Sequence, residues 1–158
     1  MELEPAVSGP RFSVIIPAFN AGNTLSACLE ALDQQSVSNE DYEVIVVDDG
    51  SSDNTSKIAK SFDIKYIYQA NRGPAAARNR GAREAKGEII LFTDADCLAG
   101  RTWMQEMVLP FEDPVVTAVK GSYKTRQTRL AARFAQAEFE DRYELLQRQA
   151  SIDMIDTY

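Results

Sequence analysis

The chain alternates between short apolar runs and polar stretches. "RFSVIIPAFN" carries Val14, Ile15 and Ile16 without a polar interruption. A continuous β-branched run of this kind predicts a strand buried on both faces, and Pro17 ends it. "NTLSACLEALDQQ" then sets Leu25, Cys28, Leu29 and Leu32 at helical spacing, with Asn23 as the expected N-cap. In "YEVIVVDDGSSDNT", Val44 to Val47 predict a second buried strand, followed by a turn rich in Asp, Gly and Ser. Asp53 is placed to cap the helix "NTSKIAKSF". "IKYIYQ" reads as a third, weaker strand. "NRGPAAARNRGAREAKG" reads as a loop and then a helix entered through Gly73 and Pro74, proline being suited to a first helical turn.

"EIILFT" predicts a fourth strand, expected in the middle of the sheet. Trp103, Met104, Met107 and Val108 predict a short helix, and "VVTAVKGSY" a fifth strand. From about Arg126 to Gln149, two overlapping helical stripes run through Leu130, Phe134, Ala137 and then Phe139, Tyr143, Leu146. Strand and helix alternate at short intervals. That order predicts right-handed βαβ units in a three-layer α/β/α fold with a mainly parallel sheet, plus a long C-terminal helix.

Composition narrows the chemistry. The 158 residues amount to about one domain. The net charge of −7 argues against a nucleic-acid footprint, which favours a basic surface. No apolar run approaches the roughly 20 residues of a membrane helix, and "MELEPAVSGP" lacks the basic-then-apolar order of a signal peptide, so a cytoplasmic location is the expectation. The chain has no histidine, which excludes Ser-His-Asp hydrolysis, Cys-His proteolysis and histidine-held zinc within these residues. Its two cysteines, Cys28 and Cys97, make no metal or redox spacing. Any metal is therefore expected on oxygen ligands, which points to magnesium, manganese or calcium.

The polar residues fall at particular places. Asn20 follows the first strand, Asp48 and Asp49 the second, Asn71 and Arg72 the third, Asp94 and Asp96 the fourth. In an open parallel sheet these carboxyl ends share one edge, and ligands bind in the crevice outside it. Loops are polar in any protein, and Asp, Asn and Gly also serve as turn residues. Asp94 and Asp96 press the functional reading harder. Two carboxylates so close repel unless a cation lies between them, and a hard divalent ion completes its shell with water and phosphates. Arg78, about one turn into its helix, adds a guanidinium suited to phosphate oxygens. Arg80 and Arg83 read as a solvated basic face.

The segments "VIIPAFNAGNTLSACLEALDQQ", "YEVIVVDDGSSDNT" and "NRGPAAARNRGAREAKGEIILFTDADC" together resemble the N-terminal half of family 2 glycosyltransferases with the GT-A fold. The resemblance covers roughly residues 11 to 125. It implies a Rossmann-like nucleotide-sugar-binding domain over 11–125, between a tail over 1–10 and a helical segment over 126–158. It further implies that Pro17, Ala18, Phe19 and Asn20 cradle the nucleoside. Asp49 would accept from the base, typically uracil N3, with Asp48 orienting the loop. Gly73 and Arg78 would contact the nucleotide. Asp94, Ala95 and Asp96 would form the acidic metal motif, with Asp96 on Mn2+ or Mg2+ and Asp94 on the ribose or the metal's shell. The implied activity is inverting transfer from a UDP-sugar to a saccharide, lipid or protein acceptor, in cell-wall or polysaccharide assembly at the inner face of a membrane.

Inversion needs a general base, which family members carry well downstream of the metal motif. Glu138, Glu140, Asp141 and Glu144 lie on a predicted helix beside Arg142, where i,i+4 pairing on a solvated face explains them. The expectation is that the base and the acceptor-binding half lie outside this chain. A non-catalytic nucleotide-sugar-binding module, or an inactive truncated fragment lacking the general base, is then the alternative. The unpartnered stripes from Leu130 to Leu146 predict a homodimer through the C-terminal helix. A sugar nucleotidyltransferase would show a Gly-rich basic loop after the first strand, where "PAFNAGNT" stands. A receiver domain would place its aspartate pair after the first strand rather than the second.

Overall fold

Four parallel strands form the sheet: β1 (Phe12–Ala18), β2 (Tyr42–Asp48), β3 (Lys65–Tyr68) and β4 (Ile89–Phe92), in the order β3-β2-β1-β4. The computed structural model describes residues 9–122, with positions 124 and 137 beyond them. The chain divides after Val119 into two units, and the fold below is that of the first.

Alternation along each strand sends side chains to opposite faces. Val14 and Ile16 of β1, with Val44 and Val46 of β2, meet α1 (Leu25–Asp33), α2 (Thr55–Ala59) and α4 (Trp103–Val108) on one face. Leu25, Cys28, Leu29 and Leu32 are the buried stripe of α1, as their spacing predicts. Burying a side chain of that size contributes about 1.5–3 kcal/mol. On the other face, Ile45 and Val47 pack on Ala77 of α3 (Pro74–Glu84). There Gly81 lets the helix close on the sheet: a Cβ at that position would stand 2.4 Å from Ile15 Cγ2. Helices on both faces give the expected three-layer α/β/α fold around a parallel sheet.

The order of strands creates the crevice. From β1 the chain steps outward through β2 to β3, then returns to place β4 on the other side of β1. The chain thus reverses its direction of travel across the sheet between β1 and β4, and open α/β sheets bind ligands at the carboxyl ends of the strands beside such a reversal. Strand β4 also ends early. Phe92 pairs with Ile15, whereas β1 continues to Ala18 opposite Asp48. The loop from Thr93 onward fills the space left beside the end of β1, starting with Thr93 N–H to Ile15 O at 3.2 Å.

Several expectations need correction. Among the described strands β4 is an edge strand, not a central one, with Ile90 and Phe92 exposed and Leu91 buried. Its apolar run reflects one buried face, and periodicity does not separate an edge strand from a central one when both faces are apolar. The fifth strand does not form across residues 115–122, which are a turn and irregular chain, with Val115 82% exposed. β-Branched residues favour a strand only where a half-buried pleated surface takes their side chains, and Val115 has none. The first helix begins at Leu25 with Thr24, not Asn23, at the N-cap, and no side chain caps it. Asn54, not Asp53, stands at the N-cap of α2, and Asp53 instead accepts from Thr55 N at 3.0 Å from the position before it. The long C-terminal helix, the acidic residues 138–144 and the dimer contact lie outside the described residues. Among the described residues, no helix is long and apolar enough to cross a membrane.

Candidate functional site

All four strand-end loops meet at one cleft of about 460 Å³. Its lining comprises Pro17, Ala18 and Phe19 from the first loop and Asp49 from the second. The third loop and α3 add Asn71, Gly73, Pro74 and Arg78, and the fourth adds Asp94. A second hollow, of about 380 Å³ between α1, β2 and the start of β3, gathers none of these residues.

Asp49 is the most constrained group in the cleft. It is 3% exposed, and its Oδ1 accepts from Gln69 Nε2 at 2.6 Å and from Arg72 N at 2.9 Å. Its Oδ2 accepts from Gly73 N at 2.8 Å. Burial alone pushes the carboxyl up, but these hydrogen bonds and the Arg72 charge outweigh it and hold the group below the usual carboxylate range. Gly73 makes its bond from φ +88°, a conformation that suits glycine, and this turns the chain into α3. Pro74 then starts the helix, whose open amino end faces the cleft.

Asp48 sits behind this surface, and Asn20, though exposed, is not part of the lining. Asp48 is 1% exposed, accepts from Ser51 N at 2.8 Å and Tyr66 Oη at 2.7 Å, and so ties the second loop to β3. Asn20, at φ +49°, links two loops: its N–H donates to Ser51 Oγ at 2.9 Å and its Oδ1 accepts from Ser52 N at 2.9 Å. Phe19 projects into the opening and is 53% exposed.

The fourth loop is built differently. Asp94 is half-buried and its Oδ1 accepts from Arg78 Nη2 at 2.5 Å. Asp96 is exposed, with the small, buried Ala95 between the two carboxylates. The loop is anchored from beneath. Cys28 Sγ donates to Asp94 O at 3.5 Å, and Gln35 accepts from Met104 N and donates to Gly100 O. Asp94, Asp96 and Cys97 bring one ligand atom each to within 4.8 Å of one another. Two carboxylates on one short loop suit a divalent cation, so the residues present fit such an ion. The thiol of Cys97 qualifies the expectation of oxygen ligands alone, since it stands 3.8 Å from Asp96 Oδ1.

Sequence reasoning missed Gln69 and Cys97, and counted Asn71 among the strand-end residues without placing it in the site. Gln69 carries a usable signal, because it follows directly on the third strand at the same edge. Cys97 carries none, because no metal spacing includes it.

Comparison with known proteins bears on the family and the fold. The sequence model of the family described as Glycosyl transferase family 2 matches residues 13–156. Glycosyltransferase AglE of Haloferax volcanii is 36% identical over 119 residues, covering 72% of this chain and 39% of that protein. Validoxylamine A glucosyltransferase of Streptomyces hygroscopicus subsp. jinggangensis is 37% identical over 116 residues, covering 70% of this chain and 28% of that protein. The chain thus spans well under half the length of these curated relatives. Among solved structures, the mannosyltransferase PcManGT from Pyrobaculum calidifontis, in complex with GDP-Man and Mn2+, superposes with a TM-score of 0.66 at 31% identity. That match covers 75% of this chain and 37% of the other. S. aureus TarS 1-349 in complex with UDP-GlcNAc gives 0.61 at 26% identity, covering 75% and 38%.

Proposed function

The chain belongs to glycosyl transferase family 2, and from that premise we propose that residues 11–125 are a donor-binding domain. It takes a nucleoside-diphosphate sugar, a UDP-sugar in the first place, with Mn2+ or Mg2+, for inverting hexosyl transfer to an acceptor hydroxyl. The observation that carries the reading is the meeting of four loops at one cleft, each contributing a group suited to a different part of such a ligand. Phe19 offers an apolar ring to the base. Asp49 accepts an N–H from it. The amino end of α3 and Arg78 favour the diphosphate. Asp94 and Asp96 would hold the cation, whose chemistry when bound is to offset charge on the diphosphate leaving group. The relatives holding UDP-GlcNAc and GDP-Man support a nucleotide sugar as the ligand class.

One observation favours the second reading, a binding module that leaves proton removal to other residues. Among the described residues lining the cleft, the carboxylates are Asp49 and Asp94, and both are engaged. We assign the general base to neither. Cytoplasmic placement at a membrane face, a role in cell-wall or polysaccharide assembly, and a saccharide, lipid or protein acceptor follow from family analogy. The homodimer rests on the apolar stripes of 130–146.

Calorimetry with UDP and Mn2+ tests the site. The wild-type chain is expected to bind UDP with a metal requirement, and Asp96→Ala to lose that requirement along with about tenfold or more in affinity. No binding by wild type, or undiminished binding by Asp96→Ala, removes the metal-site reading. Donor hydrolysis or transfer dependent on Asp94 and Asp96 separates an enzyme from a module.

A further inference from the structure

An ionised aspartate has two oxygens and about four acceptor positions. At Asp49 three are taken. Gln69 Nε2 and Arg72 N fill Oδ1, and Gly73 N takes one position on Oδ2. One acceptor position therefore remains, on a carboxylate that lines the cleft. Two of the three donors are main-chain groups, fixed by the path of the loop. The third is a side chain and can be changed without rebuilding the loop. Gln69 itself is held at the end of β3, where its N–H donates to Asp48 O at 2.9 Å. Its amide nitrogen faces Asp49, because the opposite orientation would set an amide oxygen against a carboxylate.

We propose that Gln69 is a base-specificity residue: by filling Asp49 Oδ1 it restricts the nucleobase to a single N–H donor at this carboxylate. The inference rests on the reading of the cleft as a nucleotide-sugar site with Asp49 as the base acceptor, and it adds which bases are refused. Uracil presents one imide N–H between two carbonyl groups and matches one open position. Guanine presents N1–H and its 2-amino group side by side, a pair that takes both oxygens of an unobstructed carboxylate. Here the second donor meets an oxygen already filled and gives up water without a partner. Cytosine and adenine set a ring-nitrogen acceptor beside their amino group, which then faces carboxylate lone pairs.

The decisive pair of probes is IDP and GDP, which share the purine ring and its 6-carbonyl and N1–H and differ only in the 2-amino group. Binding of UDP, 3-methyl-UDP, IDP and GDP, each with Mn2+, is measured by calorimetry on wild type and Gln69→Leu. Wild type is expected to bind UDP, to lose it on N3 methylation, and to hold IDP about tenfold or more tighter than GDP, the range set by one unpaired buried donor. Gln69→Leu opens Oδ1 and is expected to bring IDP and GDP to within about threefold. Equal binding of UDP and 3-methyl-UDP by wild type, or no binding of UDP, removes the base from Asp49 and overturns both readings. Loss on methylation with GDP bound as well as IDP leaves the base reading standing and overturns the role of Gln69. An IDP preference that survives in Gln69→Leu likewise overturns the role of Gln69 alone. Gln69→Met serves where leucine is not tolerated, and the wild-type ratio decides even without a variant.

Discussion

Two pairs of acidic residues end two strands of this sheet, and they are built in opposite ways. Asp48 and Asp49 are 1% and 3% exposed and together accept five hydrogen bonds, from Ser51, Tyr66, Gln69, Arg72 and Gly73. Asp94 is half-buried and paired with Arg78, and Asp96 is exposed, its carboxylate meeting the Cys97 thiol in a weak contact. The first pair is held by the protein itself, with one acceptor position left open on Asp49, so its geometry is set before any ligand arrives. The second pair keeps acceptor capacity for something else. Closely spaced aspartates in a sequence thus mean two different things: a turn that the fold organises around, and a place where charge is left over.

The largest test of that contrast is on stability. Asp48→Ala removes the buried acceptor of the Tyr66 hydroxyl and the Ser51 N–H, and is expected to cost about 3 kcal/mol in denaturant unfolding. Asp96→Asn removes an exposed charge and is expected to stay within about 0.5 kcal/mol of wild type. Comparable losses in the two variants would break the distinction.

The sequence exposes part of this arrangement and hides the rest for identifiable reasons. The β-branched runs of β1 and β2 announce strands buried on both faces, and the stripe of α1 announces its buried side, because each burial pattern repeats with the geometry of its element. The positions of Asp49, Gly73, Arg78 and Asp94 at one edge follow from a parallel sheet alone. What periodicity does not carry is which strand has neighbours on both sides. Strand β4 is as apolar as a central strand, yet Ile90 and Phe92 are exposed in the described fold. Nor does it carry side-chain pairings at a distance in sequence. Gln69 reaches Asp49 across 20 residues, and Cys28 reaches the Asp94 carbonyl across 66. The inward turn of Asp48 is likewise set by Tyr66, a partner on another strand.

A smaller effect follows from acidity. The folded Asp49 carboxyl is held below its ordinary value of 3.8, since the hydrogen bonds and Arg72 outweigh the upward push of burial. A group whose pKa is lowered on folding adds stability in full above its unfolded pKa, and that stability fades as pH falls through the folded value. Thermal unfolding of wild type is therefore expected to gain an acid-side loss below about pH 4 that Asp49→Asn lacks. Comparing both chains from pH 6 to pH 2 measures it. An identical acid limb in the two would show that the hydrogen bonds around Asp49 are not what its ionised form adds to the fold.

The smallest expected effect lies on α3, where the same distinction between engaged and functional groups can be drawn for two arginines. Arg78 lines the cleft and pairs with Asp94, whereas Arg80, two residues on, is exposed and pairs with Glu84 at 3.2 Å within its own helix. Exposed i,i+4 pairs contribute about 0.3–0.5 kcal/mol. Arg80→Ala should therefore shift unfolding by no more than that and leave UDP binding untouched, while Arg78→Ala weakens UDP by about tenfold through loss of a charge-assisted contact. Titrating UDP into both variants with Mn2+ present gives the ratio directly. Equal losses would mean that α3 acts on the ligand as a diffuse positive field, and the particular placement of Arg78 over Asp94 would then carry no specificity.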